Sequence, residues 1–146
     1  LLDLLVKDGN QVVLIGGSQE IPLLEEINEF LKLPQVVNLV GKCSIKQSIA
    51  AIKRCTCSIG IDTGMQHIAG ALSVPTISIF GPTNPKYIGA FSDCSYFVEY
   101  ETDCKYCFGT NQYVHCNKRC CLTEIMPQQV MDMVHLVLEK ITNERG

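Results

Sequence analysis

Residues 59–64 carry side chains and backbone freedom of the kind that bind phosphate. A β-branched run, Ile59-Gly60-Ile61, is followed at once by Asp62-Thr63-Gly64. An Asp or Thr can cap a helix, and Gly permits a tight turn and close approach of the backbone. A helix that begins there directs free N–H groups beyond the strand, where the helix dipole favours an anion. The stretch therefore predicts a phosphate-binding turn, and a nucleotide diphosphate is the first ligand to consider. Ordinary helix capping without any ligand is the alternative.

A second turn of similar character follows the next apolar run. Residues 74–80 read as a strand, which ends at Gly81-Pro82-Thr83-Asn84-Pro85. Thr83 offers a hydroxyl and a backbone N–H to a phosphate oxygen. Gly and Pro also explain a stiff surface turn that binds nothing, so both interpretations stay open.

These turns must be positioned by alternating strands and helices. The hydrophobic pattern predicts strands at 11–15, 36–39, 55–61 and 74–80, a last strand at 94–99, and helices at 1–8, 22–33, 44–52, after 64 and at about 127–143. Such alternation is typical of an α/β fold with a parallel, doubly wound sheet. Ligands of these sheets bind beyond the carboxyl ends of the strands, so we expect loops 16–20, 62–66 and 81–85 to converge there.

Two of the predicted helices show an apolar stripe at helical spacing. In the helix at 22–33 the stripe consists of Leu23, Leu24, Ile27, Phe30 and Leu31. In the C-terminal helix, which begins at Pro127, it consists of Val130, Val134, Val137, Leu138 and Ile141. Between the last strand and this helix, residues 101–122 read as a polar, cysteine-rich loop.

Composition excludes several classes of function. The 146 residues carry a net charge of −3, and the pI is about 5.6. A general nucleic-acid binder needs clustered Lys and Arg, so a nucleic-acid partner is not expected. No run approaches the roughly 18 apolar residues of a membrane span, and we expect a cytoplasmic domain.

The chain opens within an apolar run without Met, which suggests the second half of a longer protein.

Nine cysteines are a high number for 146 residues. Five cluster late in the chain, with His115 among them: Cys104, Cys107, Cys116, Cys120 and Cys121. Their spacing is compatible with a structural zinc site, although the central interval is short. A disulfide is a second possibility, and reduced thiols that only pack, as expected in the cytosol, are the interpretation we favour.

The central stretch resembles the signature of the bacterial heptosyltransferase family. The resemblance rests on the joint spacing of Asp62, Gly64, His67, Pro75, Gly81 and Thr83, and extends loosely from about Val12 to the C-terminal helix. It implies a Rossmann-like domain, the C-terminal half of a two-domain (GT-B type) glycosyltransferase that transfers heptose from ADP-heptose to the lipopolysaccharide inner core. It also implies peripheral association with the inner face of the inner membrane. No cofactor is expected.

The resemblance also assigns roles to single residues. It implies that Thr63 and Gly64 hold the donor diphosphate through backbone N–H groups and that Asp62 orients sugar hydroxyls or the loop. His67 would lie near the donor phosphates and stabilise the departing ADP. Thr83 would bind a phosphate oxygen.

Further donor contacts are implied before the central stretch. Glu20, or its neighbour Gln19, corresponds to an acidic residue that binds the ribose hydroxyls. Cys43 and Lys42 correspond to the region that touches the adenine, where Cys43 replaces a larger apolar residue. The general base of the family lies in the N-terminal domain, so we expect no catalytic residue in this chain, and binding without turnover. The acceptor, a lipopolysaccharide core, would bind through that absent domain.

Two other functions remain compatible with the sequence. One is a transferase that uses a different nucleotide sugar on the same scaffold. The other is a non-catalytic module in which the cysteine loop holds metal and docks a partner.

Overall fold

The computed structural model describes the backbone of residues 1–145 and the side chains of residues 1–143, and Gly146, the last residue of the predicted domain, lies outside them. The chain divides into two compact units, residues 1–51 and the residues from Ile52 onward. Every strand pair in both units is parallel, and helices alternate with the strands. The predicted α/β class is confirmed.

The first unit is built on a two-stranded parallel sheet. Helix α1 (Leu2–Lys7) leads to strand β1 (Val12–Leu14), which pairs with strand β2 (Val36–Asn38). Helix α2 (Ile45–Ile52) follows β2, and its Ser44 hydroxyl accepts a hydrogen bond from the Gln47 N–H at 3.4 Å. Both predicted strands are present but shorter than expected.

The predicted α-helix at 22–33 is wrong. The segment forms a 3₁₀ helix at Ser18–Ile27 and a short one at Phe30–Lys32. Pro22 lies inside the first of these and has no N–H to donate to the preceding turn. With three residues per turn, Leu24 and Ile27 share one face and are half-buried, whereas Leu23 lies off that face and is 59% exposed.

The second unit contains a three-stranded sheet in the order β3 (Ser58–Ile61), β4 (Thr76–Phe80), β5 (Ser95–Glu99). Helix α3 (Gly64–Ala71) connects β3 to β4, and helix α4 (Pro85–Ile88) follows β4. Ile61 lies opposite Ile79, and Phe80 lies opposite Glu99. The three carboxyl ends therefore form one edge of this sheet.

The core of the second unit lies around β4 and the C-terminal helix α7 (Pro127–Arg145). Ile77, Phe80, Val134 and Val137 are almost completely buried. Phe80 packs edge-on against Phe97 of β5, with ring centroids 5.5 Å apart. The predicted start of α7 at Pro127 is confirmed, and the middle of its predicted stripe is buried.

The cysteine-rich segment is more ordered than its pattern suggests. It contains helix α5 (Asn111–Val114) and helix α6 (Cys120–Thr123). Thr110 caps α5 by accepting a hydrogen bond from the Tyr113 N–H at 3.4 Å. Helices of four residues are too short to show a hydrophobic period, which is why the sequence predicts only a loop.

Within residues 1–145, none of the helices has the length and apolar character needed to cross a membrane.

Candidate functional site

The two predicted phosphate turns leave the same edge of the second sheet. β3 and β4 are adjacent and parallel, and they end at Ile61 and Phe80. The residues that follow, Asp62-Thr63-Gly64 and Gly81-Pro82-Thr83, therefore begin side by side at the carboxyl edge. Ligands of parallel sheets bind at this edge.

The amino end of α3 is open. Thr63 occupies the N-cap position with an extended backbone, but its side chain makes no capping hydrogen bond. The N–H groups of Gln66 and His67 are directed to the Thr63 carbonyl, at 3.0 and 3.5 Å. The N–H groups of Gly64 and Met65 form no hydrogen bond to the backbone of residues 1–145 or to a side chain of residues 1–143. Two amide donors at the positive end of a helix are thus free for an anion.

Gly64 leaves space in front of these donors. A Cβ built on this residue would meet no other atom within 4 Å. Its backbone is not in the left-handed region, so the fold itself does not require glycine here. The space beside Gly64 is available to a ligand, as expected of a residue that allows close approach of the backbone.

Asp62 and His67 flank the open helix end. His67 lies in the first turn of α3, as predicted, with its side chain 48% exposed. Its Nε2 is 3.9 Å from Oδ1 of Asp62, too long for a hydrogen bond in this arrangement. Both groups therefore retain polar atoms that a ligand can engage.

Packing and a helix cap fix the backbone of the second turn, residues 81–85. Gly81 is buried, and a Cβ on it would lie 2.6 Å from Cγ of Leu122 in α6. Asn84 caps α4 by accepting a hydrogen bond from the Lys86 N–H at 3.0 Å. Between them, the hydroxyl of the half-buried Thr83 forms no hydrogen bond within residues 1–145. The turn thus presents Thr83 from a fixed backbone.

The cysteine-rich segment borders this second turn. The Phe108 N–H donates a hydrogen bond to the Pro82 carbonyl at 3.0 Å, and Leu122 packs against Gly81. The sequence gives no sign of this contact, because the two segments are far apart along the chain.

Two polar side chains near this edge were not identified from the sequence. Gln66 is only 4% exposed, lies over Gly60, and its Oε1 lacks a hydrogen-bond partner within residues 1–145. Glu99 ends β5, and its buried Oε1 is likewise unpartnered there. Burial raises the pKa of Tyr106, and a hydrogen bond with Glu99 raises it further. Glu99 could have been identified from the sequence, because it is a charged residue at the end of an otherwise apolar strand.

The remaining predicted donor contacts belong to the first unit. Glu20 accepts a hydrogen bond from the Gly17 N–H at 2.7 Å, and its neighbour Gln19 is exposed. Lys42 donates to the Asn38 carbonyl at 3.1 Å, and Cys43 is half-buried. The roles assigned to these residues in ribose and base binding stay predictions.

The nine cysteines form no disulfide in the structure. No group of three or more His, Cys, Asp or Glu within residues 1–143 is arranged to hold a metal ion. Burial raises the pKa of Cys121, and nearby thiols raise it further. Hydrogen bonds with Thr102 and then Cys120 lower the pKa of Cys104.

Comparison with known proteins gives a consistent result. The family model described as "Glycosyltransferase family 9 (heptosyltransferase)" matches residues 1–117. Lipooligosaccharide heptosyltransferase 2 of Haemophilus influenzae is 36% identical over 98 residues, which cover 64% of this chain and 28% of that protein. Lipopolysaccharide heptosyltransferase 2 of Salmonella typhimurium is 29% identical over 141 residues, which cover 93% of this chain and 39% of that protein.

Solved structures are similar over nearly the whole chain. The Escherichia coli structure described as ADP-heptose lps heptosyltransferase II has a TM-score of 0.74 and 25% identity, covering 97% of this chain and 40% of that one. A glycosyl transferase family 9 structure from Veillonella parvula has a TM-score of 0.81 and 21% identity, covering 95% and 39%. The latter supports the fold alone. The chain thus spans well under half the length of these relatives.

Proposed function

Because the chain belongs to glycosyltransferase family 9, we propose that it is the nucleotide-sugar-binding half of a glycosyltransferase that uses ADP-heptose. The transferase would extend the lipopolysaccharide inner core. The observation that carries the proposal is the open amino end of α3, with free N–H groups on Gly64 and Met65 beside an empty space. Such a helix end suits the diphosphate of a nucleotide sugar.

The choice of donor rests on the relatives. The Escherichia coli structure is described as an ADP-heptose lps heptosyltransferase, and two similar curated proteins are heptosyltransferases. Both ends of the Asp62–Thr83 stretch, on which the resemblance depends, follow strands at the carboxyl edge of the second sheet. We therefore extend the same donor to this chain.

Each residue at the edge has a part in the proposed reaction. The amides of Gly64 and Met65 and the hydroxyl of Thr83 would bind the diphosphate oxygens. His67 would donate a hydrogen bond to the phosphate that leaves with ADP, which offsets the charge developing on it. Asp62 would hold His67 or accept from a sugar hydroxyl.

The bond-forming step needs a further group. An acceptor hydroxyl attacks the anomeric carbon of heptose, loses its proton to a general base, and ADP departs with the bonding electrons. We propose that this base belongs to a domain outside this chain. The chain alone should then bind donor without transferring heptose, and heptose transfer by the chain alone would contradict this part of the proposal.

Calorimetric titration with ADP and with UDP tests the proposal. We expect ADP to bind, UDP to bind at least ten times more weakly, and Gly64→Val to lose ADP binding because its side chain occupies the space for phosphate. Ala71→Val, at the exposed far end of the same helix, is the matched control and should bind ADP normally. Preference for UDP would indicate a different nucleotide sugar, and the absence of any nucleotide binding would reject the donor site.

A further inference from the structure

Two thiols of the cysteine-rich segment lie in contact. Sγ of Cys104 is 3.9 Å from Sγ of Cys120. The Thr102 hydroxyl touches both, at 3.5 Å from Cys104 and 3.8 Å from Cys120. Both cysteines are half-buried, so a small reagent can reach them.

The other cysteines of the cluster are placed differently. Cys107 and Cys121 are buried. The half-buried Cys116 accepts a hydrogen bond from the Arg119 N–H at 3.4 Å. Within residues 1–145, no third cysteine joins Cys104 and Cys120 in a group arranged for a metal.

The pair closes the segment that borders the second turn of the candidate site. Cys104 follows β5, and Cys120 begins α6. Between them Phe108 donates to the Pro82 carbonyl, and just after them Leu122 packs against Gly81. A covalent link between the two cysteines would therefore fix the backbone that holds Gly81-Pro82.

We propose that Cys104 and Cys120 form a reversible disulfide with a low-molecular-weight disulfide as oxidant, and that the bond clamps residues 105–119 against the Gly81-Pro82 turn. The sulfur atoms need to approach by about 2 Å from their present contact. That movement is within reach of side-chain rotation.

The exchange balances in two steps. The Cys104 thiolate attacks one sulfur of oxidised glutathione, forms a mixed disulfide and releases one glutathione thiolate. Cys120 then loses its proton and attacks Sγ of Cys104, which expels the second glutathione. The protein loses two electrons and two protons, and the oxidant becomes two reduced glutathione molecules. Hydrogen bonds with Thr102 and Cys120 lower the pKa of Cys104, which favours it as the attacking thiolate.

Mass spectrometry after acid quench and alkylation tests the proposal directly. The purified protein is equilibrated at a series of reduced to oxidised glutathione ratios. We expect a species lighter by two hydrogen atoms, two fewer alkylated thiols, and a linked peptide pair that contains Cys104 and Cys120. Reduction with dithiothreitol should reverse all three changes.

Serine variants and hydrogen exchange complete the test. Cys104→Ser and Cys120→Ser should abolish the link, whereas Cys116→Ser, in the same segment, should retain it. Circular dichroism shows whether each variant folds. In the oxidised protein, exchange of the Phe108 amide should slow at least ten-fold.

Three results would overturn the proposal. They are a link between other cysteines, full alkylation of Cys104 and Cys120 at every ratio, and stoichiometric zinc that shields these thiols until a chelator is added. None of these readouts depends on nucleotide binding, so they stand apart from a failure of the proposed function.

Discussion

The junctions after β1 and after β3 have the same order of elements, but the amino end of the helix is capped by a side chain in the first and left uncapped in the second. In both, a short parallel strand leads into a helix whose third residue has a side chain able to cap the helix: Glu20 after β1 and Gln66 after β3. Glu20 turns back and accepts the Gly17 N–H at 2.7 Å. Gln66 turns inward over Gly60 and is buried, so it does not close its own helix end.

The difference is the one expected between a helix end that binds an anion and one that only begins a helix. The first junction satisfies its own amide donor, as a capping box does. The second leaves the donors of Gly64 and Met65 without a partner within residues 1–145, beside open space. Unpaired amides lower stability slightly unless water or a ligand satisfies them, which is consistent with a site kept for an anion.

Closing the second junction with a charge should produce the largest effect. Gly64→Asp places a carboxylate where the diphosphate is expected, and we predict a loss of ADP affinity of about 100-fold, or roughly 2.8 kcal/mol. The same carboxylate favours the helix dipole, so stability should rise by about 0.3–1 kcal/mol. Calorimetric titration and urea unfolding measure the two effects.

The control variant should change stability in the opposite direction. Ala71→Asp introduces the same charge at the carboxyl end of the same helix, where the dipole opposes it. It should leave ADP binding unchanged and lower stability. If Gly64→Asp bound ADP as tightly as the unaltered protein, the open end of α3 would not be the phosphate site.

Replacing the glycine of each turn of the second sheet with alanine should change the free energy of unfolding at one turn and not at the other. Gly81→Ala forces its Cβ against Leu122 and should cost about 1–2 kcal/mol of unfolding free energy. Gly64→Ala meets no atom within 4 Å and should be neutral or slightly stabilising. Adding Leu122→Ala should reduce the cost of Gly81→Ala, as a double-mutant cycle measures it. Equal effects at the two glycines would contradict the described packing.

The smallest predicted effect concerns the caps themselves. Glu20→Ala removes the acceptor of the Gly17 N–H and should lower the free energy of unfolding by about 0.5–1 kcal/mol. Thr63→Ala removes a hydroxyl that makes no capping bond and should change it by less than about 0.5 kcal/mol. Urea unfolding followed by circular dichroism compares them. If Thr63→Ala lowered the free energy of unfolding more than Glu20→Ala, the helix after β3 would be the capped one, contrary to the structure.

Much of the fold was predictable because local patterns and tertiary structure agree. The runs at 11–15, 36–39 and 74–80 are apolar and bounded by turn residues, and each forms a parallel strand. The predicted α-helix at 22–33 failed because residues 18–27 adopt a 3₁₀ geometry, in which only part of the apolar stripe shares a face. In the cysteine-rich segment, two short helices escaped detection because four residues cannot display a period.

The sequence by itself determined the α/β class, the turn residues that end β3 and β4, and the family, because these depend on residue type and spacing along the chain. The tertiary structure decided what those residues touch. It left the α3 amides open, turned Gln66 over Gly60 and placed Leu122 against Gly81. It also brought Cys104 within 3.9 Å of Cys120. These outcomes depend on which way side chains turn and on which distant segments meet, and neither is encoded in local periodicity.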